Sequence, residues 1–161
     1  MEHVTGEAVQ PKGCLFEPPG QNQYSRKHLL LYRAAHVVVL LNRFPYANGH
    51  LLVAPIRHVP EITTLQGDEN LALMTMLQHC CRILKTHLQP HGFNIGLNLG
   101  RVAGAGIDDH LHFHVVPRWD GDHNYMTVTA EIRTIPQHIE HTFDLLLPDF
   151  QVLIHPGENN E

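Results

Sequence analysis

Residues 110–119 read HLHFHVVPRW, with histidine at 110, 112 and 114 inside an otherwise apolar run. Along a β-strand successive side chains point to opposite faces. His110, His112 and His114 then share one face, and Leu111, Phe113 and Val115 share the other. On a helix, at ~100° per residue, the same three rings would spread over about 200° of arc. Strand geometry is what makes the imidazoles a unit. The fold must place an apolar layer behind this stretch and a polar, accessible site in front of it.

The chain before this stretch supplies strands and one long helix. Residues 28–32 and 36–42 are apolar runs split by Arg33-Ala34-Ala35, which reads as a hairpin. FPYANG at 44–49 is a turn with Asn-Gly as its strongest signal, and residues 50–55 form the next strand. Strands joined this tightly make an antiparallel meander. Residues 60–65 read as one short helical turn. From Asp68, the expected N-cap, to about residue 88 the period becomes helical, with Leu73 or Met74, Leu77, Cys81, Leu84 and Leu88 on one stripe. Cys80 and Cys81 read as small apolar helix residues. Pro90-His91-Gly92 ends the helix, and residues 93–99 alternate as a half-buried strand.

After Trp119 a polar turn is followed by residues 125–129, which extend as a strand, and by a final helix over 136–147 with proline in its first turn. Residues 1–12 read as a loose polar arm, 13–148 as a single domain and 149–161 as a tail. GCLFEPPG at 13–20 is turn-rich and packs Leu15 and Phe16 against the domain. No internal repeat or low-complexity linker divides the chain.

With 161 residues and a net charge of −5, the chain has no general basic field to attract nucleic acid. Phosphate binding must come from a local site. Three cysteines, two of them adjacent, do not make a disulfide framework. No basic-then-apolar signal stretch opens the chain, and its longest apolar run, around 37–41, is far too short to span a bilayer. A cytoplasmic protein without membrane contact is expected.

Three chemistries suit an aligned histidine trio. The rings can be half-buried polar residues, or they can share a zinc or iron ion in a metal-dependent enzyme. In the third reading the middle imidazole attacks phosphorus while its neighbours orient and polarise. The glycine-rich loop at 100–106, including Gly104, Ala105 and Gly106, offers bare backbone N–H groups to phosphate oxygens. Asn98 adds amide donors, and His50 and His114 add imidazole N–H. A glycine-rich loop running straight into a histidine trio favours the third reading.

HLHFHVV resembles the signature of the histidine-triad (HIT) superfamily of nucleotide hydrolases and transferases, together with NRFPYANGHLLVAP upstream and GFNIGLNLGRVAGAG between. The resemblance covers residues 14–147. It implies an α+β, HIT-like fold: an antiparallel β-meander sheet with one long and one or two shorter helices, usually as a homodimer. It implies His112 as the nucleophile that forms a nucleotidyl-phosphohistidine at the α-phosphate, flanked by His110 and His114. Asn42 matches the residue that holds the ribose hydroxyls, His50 lies beside the α-phosphate, and Asn98 contacts phosphate near the scissile bond. The substrate class implied is dinucleoside polyphosphates, with diadenosine tetraphosphate favoured, cleaved by phosphorolysis or hydrolysis. The alternatives are an AMP- or ADP-binding or sensing module with little turnover, or a nucleoside phosphoramidase.

Two departures stand out. Many relatives carry Gln-Ser or Gln-Thr shortly before the triad, where this chain has Gly106, Ile107, Asp108 and Asp109. Backbone N–H groups must replace those side chains, or the acceptor differs. The run PRWDGDHNYM after the triad looks like the diadenosine tetraphosphate phosphorylase branch. No cofactor is required by the implied chemistry. Several relatives hold a structural zinc with a Cys-x-x-Cys pair and two histidines. The corresponding set here is Cys14, Glu17, His58 and His110, in which glutamate replaces the second cysteine. An ordinary packed loop with a leftover cysteine is the favoured reading of that set. Trp119 reads as a core or interface anchor ahead of a nucleotide-stacking role.

Overall fold

The structure is a computed structural model and describes residues 13–122 and 136–154. Five strands form one antiparallel sheet: β1 (Leu30–Arg33), β2 (Val37–Leu41), β3 (Leu51–Pro55), β4 (Gly92–Leu97) and β5 (Phe113–Arg118). Their order is β1-β2-β3-β5-β4. The first three make the expected meander. The long helix α1 (Gly67–Leu88) then carries the chain across the sheet, so that β5 returns between β3 and β4. A second helix, α2 (Pro136–Ile154), completes an α+β fold, with 3-10 turns over Ile62–Thr64 and Arg101–Ala103. No described helix is long and apolar enough to cross a membrane.

All five residues of β2 and of β3 are buried, because both faces of the sheet are covered. On one face Val37, Val39, Leu41, Leu51, Val53 and Val115 meet Leu73, Leu77 and Leu84 of α1 and Phe143, Leu146 and Phe150 of α2. On the other, Leu30, Val38, Leu40, Leu52 and Ala54 form a smaller cluster capped by Phe16. Cross-strand partners share a face, and Leu52 pairs with His114. The histidines therefore belong to the face of the smaller cluster. Phe16 is the anchor expected of the 13–20 segment, while its neighbour Leu15 stays 42% exposed. Full burial of a phenylalanine stabilises by about 1.5–3 kcal/mol, enough to hold this segment over the site.

Several local expectations are corrected. The N-cap of α1 is Gln66, not Asp68. The Gln66 N–H donates to Glu69 Oε2 (2.8 Å), and Arg57 grips both Glu69 oxygens (2.9 and 2.7 Å), so the buried carboxylate fixes the helix start. The apolar stripe runs through Leu73, Met76, Leu77, Cys80, Ile83 and Leu84, leaving Met74 exposed and Cys81 only half-buried. Gln89 takes the left-handed conformation that ends α1 (φ +47°). The last helix does not stop before Pro148 but runs through it to Ile154, so residues 149–154 are not a tail. An interior proline removes a helix hydrogen bond. Burial of Phe143, Leu146 and Phe150 on either side of it keeps the helix going. The arm at 1–12 and the strand expected at 125–129 lie outside the described residues.

The triad itself is only partly in a strand. β5 begins at Phe113, so His114 is a strand residue while His110 and His112 lie in the extended lead-in. The ladder to β3 ends at Val53↔Phe113 and that to β4 at Leu97↔Phe113. Beyond that point the chain takes other partners: the Leu111 N–H donates to the Val59 carbonyl (2.7 Å), and the Pro55 carbonyl receives a side chain.

Candidate active site

His110 is fully buried, and its Nε2–H donates to the carbonyl of Pro55 at 2.9 Å. A carbonyl can only accept, so the neutral ring keeps its lone pair on Nδ1, which faces Cys14 Sγ at 3.1 Å. His112 is oriented the opposite way. Its Nδ1–H donates to the carbonyl of His110 (2.9 Å), which leaves the lone pair on Nε2. The two neighbours thus have opposite tautomers, and only His112 directs Nε2 as a base or nucleophile.

A second chain of hydrogen bonds sets His114. The backbone N–H of Tyr46 donates to His50 Nδ1 (3.1 Å), joined there by the amide of Asn42 (3.3 Å). With Nδ1 accepting, His50 carries its proton on Nε2 and donates it to His114 Nδ1 at 2.9 Å. His114 is left with its proton on Nε2. The ring centroids of His112 and His114 lie 5.0 Å apart. One lone pair and one N–H are therefore held side by side, the arrangement that nucleophilic attack with proton donation requires.

Burial favours the neutral form of His50, His114 and His110. His50 is pushed down to about 4, first by desolvation and then by His114 and His112. His114 is lowered by desolvation and by His112, and His110 by desolvation, partly offset by its bond to Pro55. Phe16 lies 4.9 Å from His110 and 5.0 Å from His112, and Tyr46 lies 4.8 Å from His50. Aromatic faces therefore border the imidazoles at both ends of the row.

The other expected residues divide. Asn42 joins the site, but its two polar atoms are engaged: Nδ2 with His50, and Oδ1 with the N–H of Phe44 (3.0 Å). Asn98 follows β4, one step beyond the Leu97↔Phe113 pair at which the ladder to β5 ends. Its amide donates to the Gly104 carbonyl (3.2 Å) and so braces the glycine-rich loop. Gly100 and Gly104 take φ of +78° and +88°, a conformation that glycine adopts without strain. Asp108 pairs with Arg101 (2.9 Å). The backbone N–H of Trp119 donates to Asp122 (3.2 Å).

Cys14, His58 and His110 converge, with one ligand atom from each lying within 4.8 Å of the others. Glu17 approaches the group through His58 Nδ1 (3.4 Å), and Asp109 lies 3.6 Å from His58 Nε2. The donor types fit zinc, and His110 Nδ1 is the lone pair that a metal would use. Burial raises the Cys14 thiol above its ordinary value, so without a cation the sulfur is protonated and donates to His110.

Sequence reasoning missed Pro55 and Tyr46. The Pro55 contribution is a backbone carbonyl and has no side-chain signature. Tyr46 lies in the turn FPYANG, where composition signals the turn but not which ring packs on His50.

The HIT domain model matches residues 24–121. A Mycobacterium tuberculosis protein named AP-4-A phosphorylase is 43% identical over 122 residues, covering 76% of this chain; the chain spans 63% of that protein's length. Bis(5'-adenosyl)-triphosphatase of Dictyostelium discoideum is 32% identical over 79 residues, 49% of this chain and 52% of that protein. Among solved structures, a Zn-bound histidine triad family protein from Mycobacterium smegmatis superimposes with a TM-score of 0.62 at 26% identity, covering 80% of this chain and 87% of that one. The matched domain takes in the whole sheet and all three triad histidines, and the chain belongs to the HIT family.

Proposed function

We propose that this chain is a nucleotidyl hydrolase or transferase that cleaves dinucleoside polyphosphates at the α-phosphate through a covalent nucleotidyl-histidine, with diadenosine tetraphosphate as the favoured substrate. The observation that carries this reading is the tautomer of His112, whose Nδ1–H is tied to the His110 carbonyl so that Nε2 keeps a free lone pair. The names of the M. tuberculosis and D. discoideum relatives support the substrate class.

In the first step His112 Nε2 attacks the α-phosphorus. A P–N bond forms and the bridging P–O bond breaks. The departing nucleoside polyphosphate takes the proton of His114 Nε2, and His114 Nδ1 remains hydrogen-bonded to His50. In the second step inorganic phosphate or water attacks the same phosphorus. The P–N bond breaks, the acceptor's proton passes to His114, and His112 is regenerated. The Gly106 backbone N–H holds phosphate oxygen in place of the missing Gln-Ser pair, because those of Gly104 and Ala105, expected to be bare, donate within the loop to the carbonyls of Arg101 (2.9 Å) and Gly100 (3.3 Å). Asn98 and Asn42 bind phosphate and ribose through the hydrogen-bonding capacity their amides have left.

Cys14, His58 and His110 would hold a structural zinc, which would pin the 13–20 segment and the His110 ring; Glu17, expected as a fourth ligand, pairs with His58 Nδ1 and lies outside the converging group. A homodimer forms through β4, which ends the sheet among the described residues and exposes Ile95. Light scattering that returns a monomer mass would overturn the dimer.

The function is tested by product analysis on diadenosine tetraphosphate with and without inorganic phosphate. ADP plus ATP, formed only with phosphate, marks phosphorolysis; AMP plus ATP in plain buffer marks hydrolysis. His112→Asn must abolish both, along with an acid-labile phosphoramidate signal in 31P NMR. Unchanged turnover in that variant would sink the nucleophile assignment.

A further inference from the structure

The turn between β2 and β3 exposes two aromatic rings beside the catalytic histidines: Phe44 is 81% exposed and Tyr46 76%. Large apolar side chains held in water next to a polar cleft mark a surface that meets something. The turn is fastened at three points. The Phe44 N–H donates to Asn42 Oδ1, the Tyr46 N–H to His50 Nδ1, and the His50 N–H to the Ala47 carbonyl (3.2 Å). The ring of Tyr46 packs against His50 and lies nearly parallel to His114, at 18° and 6.0 Å between centroids. With three-quarters of the residue exposed, the ring has a face free for a second partner.

We propose that Tyr46 is the stacking platform for the base of the leaving nucleotide, an inference that rests on the dinucleoside polyphosphate reading above. His114 is the residue whose N–H faces the leaving oxygen, and Tyr46 is the ring stacked on His114. A leaving group that departs past His114 carries its nucleoside toward this turn. Tyrosine brings a broad flat face with few rotamers to freeze, and every base offers a π-face to it. The platform therefore recognises that a second base is present, with little regard to which base it is. It makes the site selective for substrates with a nucleoside at both ends of the polyphosphate.

The test compares two substrates that share the attacked AMP half. Diadenosine tetraphosphate releases a leaving group with a base, and adenosine 5'-tetraphosphate releases bare triphosphate. Loss of one base–aromatic stack corresponds to roughly 5- to 150-fold. In Tyr46→Leu the ratio of kcat/KM for the two substrates should fall by at least about 5-fold, while Tyr46→Phe should hold the wild-type ratio within about twofold. Taking the ratio cancels any general effect on His50. An unchanged ratio in Tyr46→Leu overturns the platform while leaving the proposed function standing.

If wild-type protein turns over neither substrate, the proposed function fails, and NMR of the Tyr46 ring protons decides the platform separately. Upfield ring-current shifts with diadenosine tetraphosphate but not with inorganic tripolyphosphate support it, and the absence of such shifts overturns it.

Discussion

His50 donates its Nε2–H to Nδ1 of His114 across 2.9 Å, and it does so because the Tyr46 N–H and the Asn42 amide occupy its own Nδ1. The pair is a fixed proton path that ends on His114 Nε2. Replacing His114 by Asn removes the proton donor while leaving the His112 nucleophile in place. General acid catalysis contributes about 10²–10⁴-fold, and kcat should fall in that range. An adenylyl substrate whose leaving group departs without protonation, such as a p-nitrophenyl ester of AMP, should lose much less. Equal losses on both substrates would show that His114 does not act as the acid.

The pH dependence follows from the direction of the histidine shifts. His50 and His114, the two rings of the path, are both held below the ordinary imidazole range, so the path stays neutral through mildly acid pH. Protonation of His50, which would break its bond to His114, should add to the acid limb of kcat/KM only as pH falls toward 4. Stability has the same sign. Between about 6.5 and 4 the unfolded chain binds a proton that folded His50 refuses, so His50's contribution is complete above about 6.5 and lost as pH falls toward 4. It amounts to about 3 kcal/mol. Chemical denaturation at pH 7 and pH 5 should show the decline, which His50→Gln should reduce.

Gly49 stands before His50 with φ +80°, a conformation that side chains rarely adopt. A Cβ there would overlap Leu88 Cδ1 and sit 3.0 Å from Leu84 Cδ2. Gly49→Ala should therefore cost about 2–4 kcal/mol by thermal unfolding, from backbone strain and overpacking together. It should also depress turnover by shifting His50.

The Cys14, His58 and His110 group should copurify with close to one zinc per chain by elemental analysis. Cys14→Ala should lower metal content and Tm together, because a metal that binds only the folded state stabilises it. An equal Tm for metal-loaded and chelator-treated wild type would refute a structural zinc.

Phe150 is fully buried although it follows the helix-interior Pro148. Phe150→Ala should destabilise by about 3–5 kcal/mol, as other core phenylalanine truncations do. A loss below about 1 kcal/mol would place the segment outside the core.

Much of this fold is written in local pattern. The apolar run after the Asn-Gly turn at 50–55, the alternation in 93–99 and the 3.6-residue period of α1 appear as strands and helix with ends displaced by one or two residues. What pattern could not show are choices settled by tertiary contact. Gln66 rather than Asp68 caps α1 because Arg57, nine residues upstream, secures Glu69. α2 passes through Pro148 because its apolar residues have a sheet to lie on. The histidine spacing in 110–114 was legible as one face, but the opposite tautomers of His110 and His112 depend on a carbonyl 55 residues away in sequence and on the backbone of the triad itself.

The pairing of Leu52 with His114 joins two strands separated by the whole of α1 and β4. Closing a loop of this size is slow relative to forming the β1–β2–β3 meander, which needs only neighbouring residues. A nascent chain released before residue 113 could make three strands and a helix, yet it would own His50 without His114 and an uncovered edge on β3. The reactive centre is thus a late product of synthesis, and a truncated polypeptide of this kind is left with a sticky strand in place of a catalyst.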